Sequence, residues 1–176
     1  MARKKKSLSE AVSAEIQSNF NLDAFKEKKG LKQNIKFKDQ EWIPLSQAFQ
    51  DVTSIPGIPM GHIVLLRGHS DTGKTTAMIE AAVSAQKRKI LPVFIITEMK
   101  WNWEHATQMG MDVKEVKDPE TGEVLNYEGN FIYVDRETIN SIEDVAGFIL
   151  DLIDEQKKGN LPYDLLFLWD SIGSVP

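Results

Sequence analysis

Three groups of residues in this 176-residue chain have the types and spacing to do phosphate chemistry. Gly68-His69-Ser70-Asp71-Thr72-Gly73-Lys74-Thr75, with Thr76 following, fits the phosphate-loop pattern G-x-x-x-x-G-K-[ST]. Glycines at 68 and 73 let the backbone curl until successive N–H groups point inward at a polyphosphate. The N-terminus of a following helix adds partial positive charge. Lys74 would reach the β- and γ-phosphates, and the Thr75 hydroxyl would serve Mg²⁺. The second group is Glu98, at the end of an apolar run. The third is Asp170 with Ser171, after the apolar Leu165 to Trp169, the arrangement of a carboxylate that holds Mg²⁺. Ser171 is a candidate to orient either the γ-phosphate or an attacking water. The bland alternatives are a surface turn, a cap aspartate and a surface carboxylate, and the flanking elements decide against the first two.

Those elements are legible. Ile63 to Leu66 reads as a buried parallel strand running into the loop. Thr75 to Lys87 reads as a helix leaving it, with Ala77, Met78, Ala81, Ala82 and Ala85 at helical spacing. Ile90 to Thr97 is wholly apolar apart from its last residue and rich in β-branched side chains, so a central parallel strand is expected. A helix over Trp101 to Met109 ends near Gly110. Val113 to Asn130 reads as a hairpin-like excursion turning at Asp118 to Gly122, and Phe131 to Asp135 as a further strand. Ile142 to Lys158 is a helix with an apolar stripe of Ile142, Val145, Ala146, Ile149, Leu152 and Ile153. Ser141 and Asp144 cap it and Gly159 ends it. Asp164 to Trp169 is the last strand. Strands alternating with helices predict an α/β fold with a mainly parallel sheet, its ligands at the carboxyl ends of the strands.

Upstream, Leu8, Val12, Ile16 and Phe20 recur at helical spacing, Ser7 with Glu10 forms a capping-box start and Gly30 a stop, so one amphipathic helix is expected over Ser7 to Lys29. Residues 31–41 read as linker with a short extended piece, Ile35 to Phe37. Trp42 to Leu45 and Ala48-Phe49 return to the globule, and Ile55 to Gly61 is a rigid turn. The organisation is an N-terminal arm over 1–40 and a core over 41–176.

Composition bounds the function. The hydrophobic fraction of 41% supports a core, and cysteine is absent, which excludes disulfides and thiolate metal sites. No apolar run approaches the ~20 residues needed to span a bilayer. The basic Met1 to Lys6 is followed by a polar stretch rather than the apolar core of a secretory leader, so a cytoplasmic location is expected. Residues 1–40 carry ten Lys/Arg against five Asp/Glu, and residues 41–176 eleven against twenty-one. A basic arm on an acidic body suits docking on a neighbouring subunit, and its narrow apolar stripe favours a protein surface over nucleic acid.

The stretch Gly57 to Thr76 resembles the approach to the nucleotide site in RecA-family recombinases, where a Gly-[Leu/Ile]-Pro-x-Gly turn precedes the loop. Glu98, thirty residues after Gly68, matches the family's catalytic glutamate in order and distance. Asp170-Ser171 followed by Ile-Gly-Ser-Val matches its Walker-B ending, and the segment from Glu98 to Asp112 resembles the helix that follows its glutamate. The likeness covers about 40–176 and is closest to phage recombinases of the UvsX type. It implies a P-loop NTPase core of RecA type with an N-terminal helical arm, in a phage-encoded case working in the host cytoplasm. It further implies DNA-dependent ATPase activity, ATP and Mg²⁺ as ligands, filaments built by arm-to-neighbour docking, and pairing of single-stranded DNA with a homologous duplex. Glu98 would orient the attacking water beside Lys74, Thr75 and Asp170 would serve the metal, and Trp103 or His105 would lie beside the adenine.

Two departures qualify the match. The distance from Lys74 to Asp170 exceeds that in bacterial members, and the Val113 to Asn130 excursion accounts for most of it. The sequence also stops just past Asp170, ahead of the family's DNA-binding loops, so it reads as a truncated core, weakly active or inactive by itself. A DnaB-type helicase shares the fold and a glutamate followed by Met, as in Glu98-Met99, but the Ile-Pro-Met-Gly turn and Asp-Ser ending favour the recombinase. A non-catalytic protein that caps filaments is the third reading.

Overall fold

The structure is a computed structural model that describes residues 21–30, 39–98 and 101–174. It divides into two units at Asp39/Gln40. In the first, helix α1 spans Leu22–Lys28, capped by Asn21, whose side chain accepts from the Ala24 amide at 2.9 Å. Asn21 is extended (φ −84°, ψ 97°), so the single helix expected over Ser7 to Lys29 does not pass through this point. A short polar side chain that can bond the backbone two or three residues on favours a cap over a helix interior. The rest of that expected helix and the Ile35 to Phe37 piece lie outside the described residues.

The second unit begins with two short strands, β1 (Trp42–Pro44) and β2 (Gly57–Pro59), paired antiparallel around helix α2 (Gln47–Thr53). The expected rigid turn over Ile55 to Gly61 is therefore partly strand. Gly57 sits so close to β1 that a Cβ there would collide with the Ile43 carbonyl oxygen, so only glycine allows this pairing. Ile43 and Leu45 are buried, which anchors the hairpin on the core.

The centre is a three-stranded parallel sheet in the order β6-β3-β7, with β3 at Ile90–Ile96, β6 at Ile132–Asp135 and β7 at Asp164–Asp170. All seven residues of β3 are buried, as a strand covered on both faces requires. Helix α3 (Lys74–Lys87) covers one face: Met78, Ile79, Ala82 and Val83 share a cluster with Phe94, Ile96 and Leu168. Helix α4 (Trp103–Gln108) adds Ala106 to it. Helix α5 (Ile142–Lys158) covers the other face through Val145, Phe148 and Ile149 against Ile95, Val134, Phe167 and Trp169. The alternation of Phe94 and Ile95 to opposite faces is the period-two rule of a strand.

Helix α5 starts and stops as its sequence dictates. The Ser141 hydroxyl accepts from the Asp144 amide at 3.1 Å, Asp144 accepts from the Ser141 amide at 3.0 Å, and Gly159 closes the helix at φ 81°. Its stripe is rotated from the expected one. Phe148 packs inward, while Ile142 and Ala146 are exposed, because the sheet beneath is three strands wide and meets one line of the helix. The excursion is a hairpin of β4 (Val113–Lys117) and β5 (Val124–Gly129). Its base is tied to α3 by Gln86, which bonds the Asp112 amide at 2.9 Å and the Asn130 carbonyl at 3.1 Å.

One expected element differs. Ile63 to Leu66 is irregular and exposed, with Ile63 fully accessible and Leu65 71% accessible. A strand persists only where a neighbour pairs its N–H and C=O groups. No described strand pairs with 63–66, and β7 is the edge of the sheet.

Candidate functional site

Residues 61–73 form an exposed, irregular loop that enters α3 at Lys74, with Gly73 as N-cap at φ 85°. That left-handed conformation is open to glycine at little cost, which accounts for the second glycine of the motif. At the first, a Cβ on Gly68 would stand 2.7 Å from Thr72 Oγ1, against the side chain that braces the loop by donating to His69 O at 2.8 Å. Asp71 also takes a positive φ of 62°. Lys74 Nζ folds back over the loop, donating to His69 O at 2.6 Å and Gly68 O at 3.1 Å. Among the described residues its partners are these carbonyls, which leave its positive charge for an incoming anion. His69, Ser70, Asp71 and Thr72 are exposed around it and Thr76 is exposed on the first turn of α3.

The sheet brings the other two groups to this end. Ile96 is level with Asp135 on β6 and with Asp170 on β7, so the three strands finish together. Thr75 Oγ1 donates to Asp170 Oδ2 at 2.9 Å, which ties the first turn of α3 to the end of β7. The amides of Thr97 and Glu98 both donate to Asp170 O, at 2.8 and 3.2 Å. Ser171, joined to Asp170 by a cis peptide bond, donates its hydroxyl to Glu98 Oε1 at 2.5 Å. Glu98, Ser171, Asp170 and Thr75 are thereby linked through one chain of contacts, with Lys74 next to Thr75 in sequence. Two carboxylates beside the ends of parallel strands and an ammonium at the start of α3 are the chemical types that suit a polyphosphate and its metal.

Sequence reasoning missed the group beneath this surface. Thr97, 1% accessible, accepts from Trp169 Nε1 at 3.2 Å and donates to Ser171 O at 2.8 Å. Ser174 Oγ lies 2.9 Å from Thr97 Oγ1 and donates to Ser171 O at 2.7 Å. The available signal was a hydroxyl closing an otherwise apolar strand.

Trp103 and His105 part company. Trp103 stacks on Tyr127 at 4.9 Å between ring centres and also packs on Phe131, Tyr133 and Trp101. His105 is exposed on α4, its amide capped by Asn102 Oδ1 at 2.9 Å. Within that aromatic group, burial beside Asp135 holds the Tyr133 hydroxyl above the ordinary phenol range. Among the described residues no cluster of three or more His, Cys, Asp or Glu side chains is placed to hold a metal, and no helix is long and apolar enough to cross a membrane.

Residues 6–147 match the family described as RecA N-terminal domain. The chain belongs to this family. Among curated relatives, Protein RecA of Aquifex aeolicus is 32% identical over 126 residues, covering 70% of this chain and 35% of the relative. Protein RecA of Kineococcus radiotolerans is 36% identical over 86 residues, covering 47% of this chain and 25% of the relative. Protein RecA of Aquifex pyrophilus is 31% identical over 126 residues. The chain thus spans about a third or less of the length of these relatives. No solved structure matches it. The matched residues of the RecA N-terminal domain include the glycine-rich loop and Glu98 but stop before β7, so Asp170 and Ser171 rest on the geometry above.

Proposed function

We propose that this chain is the ATP-binding core of a RecA-type recombinase of the phage UvsX kind, a DNA-dependent ATPase that forms filaments on single-stranded DNA for recombination and repair. It would work in the cytoplasm, in the host's if phage-encoded. The observation that carries the reading is the 2.9 Å bond between Thr75 and Asp170, which joins the first turn behind a glycine-rich loop to the end of a parallel strand.

Hydroxyl and carboxylate oxygens at that spacing are the hard donors Mg²⁺ takes, and two protein ligands suffice where phosphate and water complete the shell. The residues present fit the metal. Thr75 and Asp170 would hold Mg²⁺, and the metal would supply neutralisation of the phosphate charge. The loop amides from Gly68 to Gly73 and the N-terminus of α3 bind the polyphosphate. Lys74 exchanges its two carbonyl partners for phosphate oxygens. Glu98 orients water and takes up its proton, while Ser171 fixes the carboxylate that does so. Of the two candidates beside the adenine, His105 is favoured by its exposure, since Trp103 is engaged by five other rings.

The basic arm over 1–40 is assigned to self-association with an adjacent subunit. Calorimetry with Mg·ATP tests the central reading, and sedimentation of a variant lacking residues 1–38 tests the arm.

A further inference from the structure

Among the described residues Thr97 is the buried polar side chain, and its placement is costly without partners. It directly follows β3, a strand of apolar residues only, where valine would fill the same volume and suit the surroundings at least as well. Its hydroxyl is fully used instead. It accepts from the Trp169 indole at 3.2 Å, donates to Ser171 O at 2.8 Å and meets Ser174 Oγ at 2.9 Å. Ser171 in turn donates to Glu98 Oε1 at 2.5 Å, and the amides of Thr97 and Glu98 both close on Asp170 O.

We infer that Thr97 is a positioning residue: its buried hydroxyl fixes the Ser171 main chain, so that the Ser171 hydroxyl holds the Glu98 carboxylate in register with Asp170. The inference rests on the reading of Glu98 and Asp170 as the hydrolytic pair. Without the Thr97 hydroxyl, the Trp169 N–H loses its acceptor and Ser171 O keeps only the hydroxyl and amide of Ser174, both from the same short turn. The segment Ser171 to Ser174 then loses its tether to β3 through this hydroxyl and is freer to shift, and Glu98 with it. The phosphate-binding side, made by 68–75, is left as it was.

The experiment compares Thr97→Val, which keeps the shape, with Thr97→Ser, which keeps the hydroxyl, in the full chain. Three readouts are taken: Mg·ADP affinity by calorimetry, single-turnover hydrolysis of labelled ATP, and the Trp169 indole N–H resonance with its exchange rate. Thr97→Val is expected to bind ADP as the parent does and to hydrolyse at least about tenfold more slowly, since small misplacements of a reacting group cost that much or more. Its Trp169 resonance moves and exchanges faster. Thr97→Ser is expected to match the parent in all three. A Thr97→Val chain with the parent rate overturns the inference, as does a Thr97→Ser chain as slow as Thr97→Val. If Thr97→Val does not fold, the serine variant still decides: parent rate and unmoved indole support the role, and a lost rate overturns it. A parent chain that binds no nucleotide overturns the nucleotide-site reading and this role together, whereas intact binding with indifference to Thr97→Val overturns this role alone.

Discussion

Thr75 Oγ1 and Asp170 Oδ2, ninety-five residues apart in sequence, are joined by a 2.9 Å hydrogen bond. The bond spans the space between the turn that begins α3 and the end of β7, the two elements a nucleotide-bound metal would bridge. Its partners make a direct prediction. Asp170→Asn removes one anionic donor while keeping the volume. Mg²⁺ should then cease to strengthen ATP binding, with metal-free affinity near that of the parent, because a charged partner is worth roughly 1.5–3 kcal/mol there. Titrations of ATP with and without Mg²⁺ check this, and a retained metal dependence would remove Asp170 from the site.

Among the described residues Glu98 is held by Ser171 and by no cation, which leaves its carboxylate available to a water. Glu98→Gln should leave nucleotide affinity nearly unchanged and lower hydrolysis on the order of a hundredfold or more, the scale of a lost general base. Single-turnover phosphate release measures it. Equal rates in parent and variant would assign the water to another group.

The sheet and its flanking helices were legible because their signals are local. β3 is an unbroken apolar run, and α5 carries its start in Ser141 and Asp144 and its stop in Gly159. The parallel order around β3 followed from strands alternating with helices. What failed depended on partners that a sequence does not name. Ile63 to Leu66 has the composition of a strand, but pairing makes a strand, and no described neighbour supplies it. The line of α5 that meets the sheet was misjudged because Phe148 packs inward in place of Ile142 and Ala146. Lys74, Thr75, Glu98 and Asp170 were singled out through motif and strand-end logic, and the fold places Thr75 against Asp170 and Glu98 against Ser171. Thr97, Trp169 and Ser174 were missed, since hydroxyl and indole groups that serve one another across strands leave no spacing in the chain.

The cap of α5 gives a pH dependence with a definite sign. The Ser141 hydroxyl, then the Asn140 amide, hold the Asp144 carboxyl below its ordinary value. A carboxyl with a lowered folded pKa stabilises above its unfolded value near ~3.9, and that contribution is lost as pH falls through the folded pKa. Thermal unfolding from neutral pH downward should show a shallower acid limb for Asp144→Asn than for the parent. Ser141→Ala should cost about 1 kcal/mol at neutral pH, as loss of a helix cap does. Superimposable acid limbs would contradict the role of the cap.

The arm should govern assembly. If the 1–40 region docks on an adjacent subunit, a chain lacking residues 1–38 should sediment as a monomer where the parent associates in the presence of Mg·ATP. A parent that stays monomeric at high concentration with Mg·ATP would contradict the assignment.

Binding of a nucleoside triphosphate by the loop from Gly68 to Thr75 is probed most directly at Lys74. Its ammonium rests on two carbonyls, His69 O and Gly68 O, and among the described residues is committed to no carboxylate. Calorimetric titration of Mg·ATP into the parent and into Lys74→Ala compares the two affinities. Loss of a charge-assisted contact worth about 2–3 kcal/mol predicts binding weakened roughly 30- to 150-fold. An unchanged affinity in Lys74→Ala, or no binding by the parent, would contradict the account.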